Sequence, residues 1–129
     1  MLGIDGCLMR IMEIPGARSV TLVDGSSGLA VAAAGRQEGV DQHEDAAGTT
    51  DVVRAVLACA ALGGAGGDDI DEVVVSGARG YHLLALFDAA ADGHLFLHLL
   101  IDRDKGNLAL ARIGLRKAVG ELTEAGDDR

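Results

Sequence analysis

Apolar positions recur along this chain with two periods and predict eight elements of secondary structure. Short apolar or alternating runs predict strands, and apolar residues three and four positions apart predict helices. The strands are predicted over residues 17–24, 29–34, 73–76, 81–87 and 95–101. The helices are predicted over residues 2–14, 41–62 and 108–122. The order is therefore helix, strand, strand, helix, strand, strand, strand, helix, which indicates an α/β domain of the α+β type.

The last two strands form the centre of this pattern, because small and polar residues join them as in a hairpin. If the hairpin is symmetric about Ala91, Phe87 lies opposite Leu95 and Leu83 lies opposite Leu99. Both faces of this hairpin are then apolar. A sheet with one solvated face would alternate apolar with polar side chains, so the helices are expected to cover both faces.

The middle helix is apolar nearly all round over residues 52–62. Its start is near Asp41 or His43, and acidic Glu44 and Asp45 suit the first turn of a helix. A helix on the surface of a monomer normally has a polar face. The surplus apolar surface indicates self-association or a protein partner, and the alternative is a compact monomer that buries the helix on two sides.

Length and charge narrow the class of protein. The 129 residues predict one domain over residues 1–122 and a flexible acidic tail over residues 123–129. The net charge of −9 and the scarcity of aromatic residues argue against nucleic-acid binding and favour a partner with a basic patch. We find neither a signal peptide nor an apolar run long enough to span a membrane, so a cytoplasmic location is expected.

Residues that could carry chemistry are few. His82 and His98 are expected on one face of the hairpin, where a metal pair is conceivable. A catalytic zinc site needs three protein ligands and no third is apparent on that face, so structural histidines are favoured. Cys7 and Cys59 lie in apolar helical stretches and are expected to be buried reduced thiols.

The sequence evidence for other binding sites is weaker than that for the histidines and cysteines. The glycine-rich connector at residues 63–67 is followed by acids rather than by the lysine of a phosphate loop. On the last helix, Arg112, Arg116 and Lys117 form a basic side that is either solvated or meets an acidic partner. We therefore expect no enzyme activity, no cofactor and no metal.

Several strings in this order resemble the roadblock/dynein light chain family. They are Ile11-Met-Glu-Ile-Pro-Gly16, Val20-Thr-Leu-Val-Asp-Gly25, Gly28-Leu-Ala30 and Gly106-Asn-Leu-Ala-Leu-Ala-Arg112. The resemblance covers about residues 2–122 and implies a profilin-like, five-stranded antiparallel sheet. It implies the middle helix on one face of that sheet and the terminal helices on the other.

The resemblance also implies a function. Family members typically form homodimers by pairing their third strands, which would here use Val52, Val56, Cys59, Val73, Val74 and Val75. Bacterial members are similar to regulators of small Ras-like GTPases, which implies that a GTPase docks on the middle helix through Glu44, Thr49, Val53 and Leu57. The alternatives are a structural scaffold subunit without a GTPase, and a small-molecule sensor or enzyme that uses the face of His82 and His98.

Overall fold

The computed structural model describes residues 3–35, 41–63, 69–89 and 93–127. It contains three helices and five strands in the predicted order. The helices are α1 (Ile4–Ile11), α2 (Gln42–Ala58) and α3 (Leu108–Asp127). The strands are β1 (Ala17–Asp24), β2 (Leu29–Gly35), β3 (Glu72–Ser76), β4 (Gly80–Ala89) and β5 (Gly93–Asp102).

The five strands form one antiparallel sheet in the order β2-β1-β5-β4-β3. In the central hairpin Phe87 pairs with Leu95 and Leu83 pairs with Leu99, so the predicted register is confirmed. Its expected centre, Ala91, lies outside the described residues. Strands β2 and β3 are the two edges of the sheet, and β1 and β5 pair at its middle although they are far apart in sequence.

Both faces of the sheet are covered by helices, as the apolar hairpin required. On one face, α1 and α3 pack over a core that includes Leu8, Ile11, Leu99 and Leu115. On the other face, α2 covers a second core, which contains Val23, Ala46, Val53, Leu84 and Phe96. A fully buried Val, Leu, Ile or Phe side chain contributes about 1.5–3 kcal/mol to folding. The α+β architecture predicted from the sequence is therefore confirmed.

The ends of the helices differ from the predictions. Helix α1 ends at Ile11 rather than at residue 14, because the N–H groups of Glu13 and Ile14 donate to carbonyls three residues back and not four. Helix α2 ends at Ala58 rather than at residue 62, since the backbone of Cys59 is already extended. Helix α3 continues past Leu122 to Asp127, into the segment expected to be a tail.

The two cysteines occupy different environments. Cys7 is buried between α1 and α3, and its Sγ lies 3.8 Å from the carbonyl oxygen of Ala118. Burial, and secondarily the carboxylate of Glu121, raises the pKa of the Cys7 thiol. Cys59 is exposed, so the prediction that it is buried was wrong. The reason is that α2 stops before it, at Ala58, and the backbone of Cys59 is already extended.

Within the described part of the chain, no helix combines the length and the apolar character needed to cross a membrane.

Candidate protein-interaction surface

Strand β3 is a sheet edge whose outer side is unpaired in the described part of the chain. It forms hydrogen bonds to β4 through the pairs from Glu72–Ala85 to Ser76–Tyr81. An exposed strand edge presents a row of N–H and C=O groups that another strand can pair with. Natural edges are commonly protected by charged side chains, proline or a bulge, whereas the centre of this one is Val73-Val74-Val75.

The outward backbone groups of β3 follow from its register. The Leu86 N–H donates to the Asp71 carbonyl, and the Gly77 N–H donates to the Gly80 carbonyl. In an antiparallel pair, hydrogen-bonded and non-hydrogen-bonded positions alternate along the strand. Residues 71, 73, 75 and 77 therefore direct their N–H and C=O groups to β4. Residues 72, 74 and 76 direct theirs away from the sheet, which leaves three donors and three acceptors for a partner strand.

The side chains of β3 are partly exposed on both faces of the sheet. Val74 and Val75 are 39% and 46% exposed, and they lie on opposite faces because neighbouring strand residues alternate. Val73 is half-buried and packs against the core beneath α2. Val53 and Leu57 of α2 pack on the same core as Val73, although the main contacts of α2 are with β1 and β2.

The residues of α2 predicted for self-association are at its surface. Val52 is 43% exposed, Val56 is half-buried and Cys59 is exposed. Together with Val74, Val75 and the outward backbone of β3, these three residues define what we term the β3–α2 surface. Val75 lies on the face of the sheet that α2 covers, and Val74 lies on the face of Glu72 and α3.

The residues predicted for partner binding on α2 are divided by the structure. Glu44 is exposed in the first turn, and Thr49 is half-buried with its hydroxyl donating to the carbonyls of Asp45 and Ala46. Val53 is only 5% exposed and belongs to the core, so its side chain is not at the surface of the described structure, and its role in partner binding stays a prediction. Leu57 is half-buried and packs mainly against that core. Only Glu44 of the four is a fully exposed side chain.

The N-terminal half of α2 is acidic. Asp41 caps the helix by accepting hydrogen bonds from the backbone N–H groups of His43 and Glu44, at 2.9 Å and 3.3 Å. Glu44 and Asp45 follow in the first turn. Arg54 donates to the carbonyls of Gly25 and Ser26 in the β1–β2 turn. Because that guanidinium is engaged elsewhere, the exposed start of α2 keeps an acidic character that suits a basic partner.

Ion pairs hold β3 from the face opposite α2. Glu72 pairs with Arg112, and its second oxygen lies 3.0 Å from the Arg116 guanidinium. The sequence suggested that these arginines either were solvated or met an acidic partner, and the structure shows instead that they contact a carboxylate of their own chain. Their spacing of four residues on α3 was visible in the sequence, but nothing in it identified Glu72 as the acceptor.

The turn between β3 and β4 is held by the side chain of Arg103, in addition to the backbone hydrogen bond from Gly77 to Gly80. Arg103 donates to the Gly77 carbonyl at 2.9 Å, and its guanidinium lies over the Tyr81 ring at 5.5 Å from the ring centre. The edge strand is therefore held at both ends, by Glu72 at its start and by Arg103 after its finish. A rigid edge loses less conformational entropy on pairing than a mobile one.

The structure places His82 and His98 on one face of the sheet, as predicted. Their Nδ1 and Nε2 atoms are 2.9 Å apart, which is a hydrogen-bond distance, and the ring centres are 5.2 Å apart. Burial, and secondarily the charge of His82, lowers the pKa of His98 to about 4. His98 is thus neutral at neutral pH.

No protein-family model matches the sequence, and no curated protein matches it. Solved structures do match over nearly the whole chain. Myxococcus xanthus MglB is 24% identical with a TM-score of 0.81, over 95% of this chain and 94% of that chain. A Roadblock/LC7 domain from Streptomyces avermitilis is 17% identical with a TM-score of 0.77, over 96% and 98%. An MglB in a tetrameric arrangement is 20% identical with a TM-score of 0.76, over 99% and 94%. The chain therefore has the roadblock/LC7 fold.

Proposed function

Because the chain has the roadblock/LC7 fold, we propose that it is a non-enzymatic homodimeric adaptor that binds a small Ras-like GTPase and modulates its nucleotide state. The observation that carries the proposal is the apolar edge of β3, which is unpaired in the described part of the chain; the exposed apolar residues of α2 add to it. One structural neighbour is an MglB in a tetrameric arrangement, which is a precedent for self-association on this fold.

Self-association pairs β3 with β3 of a second copy in antiparallel orientation. The outward groups of residues 72, 74 and 76 are symmetric about Val74, so a two-fold axis beside Val74 pairs it with itself. Glu72 of one copy then pairs with Ser76 of the other. Each of these pairs exchanges two hydrogen bonds, and the sheets of the two copies join into one. The exposed sides of Val74 and Val75 become covered in the same step.

The two copies of α2 then lie on the same face of the joined sheet. Val52, Val56 and Cys59 supply the contacts between the helices, and the acidic N-terminal halves remain exposed. This platform suits a GTPase with a basic surface, since Glu44 and Asp45 are exposed and the net charge of the chain is −9. The GTPase is proposed from the resemblance to bacterial roadblock regulators together with this charge.

The dimer is tested by light scattering on the wild type and on two matched variants. Val74→Arg introduces a charge at the β3 edge, whereas Val31→Arg introduces the same charge at β2, the other edge of the sheet, where Val31 is 51% exposed. We expect a dimeric wild type, a monomeric Val74→Arg and a dimeric Val31→Arg. A wild type that is monomeric at micromolar concentration would contradict the proposed homodimer and, with it, the paired α2 helices.

The GTPase is tested by capture from cells that express the tagged protein, followed by nucleotide assays on the captured partner. We expect a small Ras-like GTPase among the partners and a change in its GTP hydrolysis or exchange rate on addition of the adaptor. Capture of a stable complex that contains no GTPase would contradict the regulator and identify a scaffold instead.

A further inference from the structure

The two ends of β3 carry polar groups of opposite character on one face of the sheet. The strand begins with the acidic Glu72 and ends with Ser76, whose hydroxyl accepts a hydrogen bond from the Arg103 guanidinium at 3.3 Å. Side chains alternate along a strand, so Glu72 and Ser76 both lie on the face of Val74. An acidic end and a basic end therefore flank the apolar centre of this edge.

The guanidinium of Arg103 has only neutral partners among the residues that the structure describes. It donates to the Ser76 hydroxyl and to the Gly77 carbonyl, and it lies over the Tyr81 ring. Tyr81 pairs with Ser76 and packs against the core beneath α1 and α3, which places the guanidinium on that face of the sheet. Because Arg103 is exposed, a carboxylate from another molecule can reach it.

The carboxylate of Glu72 has acceptor positions to spare. One oxygen accepts from Arg112, and the other accepts from Arg116 at 3.0 Å. An ionised carboxylate offers about four acceptor positions, so these two bonds leave about two. The Glu72 side chain is 18% exposed and belongs to an edge strand, so a further donor can approach it from the outer side of β3.

The proposed dimer brings the two ends together. With a two-fold axis beside Val74, Glu72 of one copy lies directly opposite Ser76 of the other on the same face. Opposite residues of antiparallel strands have Cβ atoms about 4.5–5.5 Å apart. The Arg103 guanidinium beside that Ser76 is consequently within side-chain reach of the Glu72 carboxylate. The two-fold axis creates this contact twice.

We propose that β3 recognises a second copy of this chain through this polar contact, in which Glu72 of one copy binds Ser76 and Arg103 of the other. The Ser76 hydroxyl accepts from Arg103, and its own O–H is left to donate to the carboxylate. Arg103 adds a charge-assisted hydrogen bond, which is stronger than a neutral one. The inference rests on the proposed dimer and identifies the side chains that decide which strand can pair with β3.

The contact also fixes the register of the pairing. A slip of two residues keeps the faces of the sheet, but it places Glu72 opposite Val74 or Ala78 of the other copy. The carboxylate then loses the donor directly opposite it. An edge strand of another protein fits only if it carries an acid at its start and a donor pair at its end, so the polar ends disfavour wrong partners that an apolar edge alone would accept.

The first test measures dissociation constants of the full chain by sedimentation or light scattering over a dilution series. Arg103→Glu places like charges at both contacts, and we expect it to raise the dissociation constant by at least about tenfold. Arg18→Glu is the matched control, since it makes the same change at an exposed position of β1, which is not an edge strand. It should stay within about twofold of the wild type. Circular dichroism confirms that both variants fold.

The second test is a double-mutant cycle with Glu72→Gln and Arg103→Gln, singly and together. Either change removes the same ionic contact. The combined variant should therefore weaken the dimer by at least about threefold less than the product of the two single effects. The dimer of Arg103→Gln should also depend less on NaCl concentration than the wild-type dimer does. If Arg103 only held the β3–β4 turn, neither effect would be seen.

The outcomes separate this contact from the dimer itself. A wild-type dimer that Val74→Arg breaks and Arg103→Glu leaves unchanged would overturn the contact and retain the β3 pairing. Additive effects in the glutamine cycle, with unchanged salt dependence, would overturn it equally. If Arg103→Glu fails to fold, the glutamine cycle decides. A monomeric wild type would overturn the dimer and the contact together.

Discussion

Replacing Val74 with proline removes one backbone donor from the outer side of β3 and none from its inner side. The Val74 N–H points away from β4, so the hydrogen bonds within the monomer are retained. Proline also requires the preceding residue to be extended, which Val73 already is as a strand residue. The variant is therefore expected to fold as a monomer and to fail as a partner for a second β3.

The loss of dimerisation free energy in Val74→Pro follows from the proposed pairing of Val74 with Val74 of a second copy. Both hydrogen bonds of that pair are lost, at about 0.5–1.5 kcal/mol each. Two acceptor carbonyls at the centre of the interface are left without partners, at about 1–3 kcal/mol each. The lower bounds add to about 3 kcal/mol, which corresponds to a dissociation constant raised at least roughly a hundredfold.

The assay is sedimentation or light scattering over a dilution series, with circular dichroism to confirm the fold. Val74→Ala is the control, because it shortens the same side chain and keeps the N–H. We expect Val74→Ala to remain largely dimeric at concentrations where Val74→Pro is monomeric. Equal dissociation constants for the two variants would refute pairing through the β3 backbone.

Three further predictions concern the core, the histidines and the acidic start of α2. Phe96→Ala should lower the free energy of unfolding by about 3–5 kcal/mol in denaturant titrations, because Phe96 is 1% exposed in the second core. The free energy of unfolding should fall as the pH drops from about 6.5 towards 4, because the unfolded chain protonates His98 at a higher pH than the folded chain does. At the folded pKa of about 4 the loss is about 3 kcal/mol, and His98→Gln should flatten this part of the profile. Glu44→Lys should slow association with a captured GTPase and reduce its salt dependence in surface plasmon resonance, and an unchanged rate would place docking elsewhere.

The sheet could be predicted from the sequence because its signals are local. Small residues between two apolar runs define the β4–β5 hairpin, and that hairpin fixes the pairing of Phe87 with Leu95. Apolar side chains on both faces require helices on both faces, whatever the topology. These constraints depend on neighbours in the chain, so they are preserved when the whole domain assembles.

The surface could be predicted only in part, because it depends on which side of α2 meets the sheet. A helix that is apolar nearly all round does not identify its buried face, so Val53 was assigned to a partner although it lies in the core. The early end of α2 exposes Cys59 for a related reason. The contact between Glu72 and Arg112 joins residues of β3 and α3 that only the assembled domain brings together.

The pairing of β1 with β5 has a consequence for synthesis. Val20 of β1 lies opposite Leu99 of β5, so the middle of the sheet cannot close until the last strand has left the ribosome. Until then β1 and β2 form a two-stranded ribbon, which is marginally stable by itself in water. The apolar side chains of this ribbon cannot yet pack against the later strands and helices that complete the two cores. Nascent chains of this protein are thus expected to expose apolar surface for most of translation and to depend on chaperones that shield it. The same long-range pairing gives the completed chain a high contact order and predicts refolding in milliseconds to seconds rather than in microseconds.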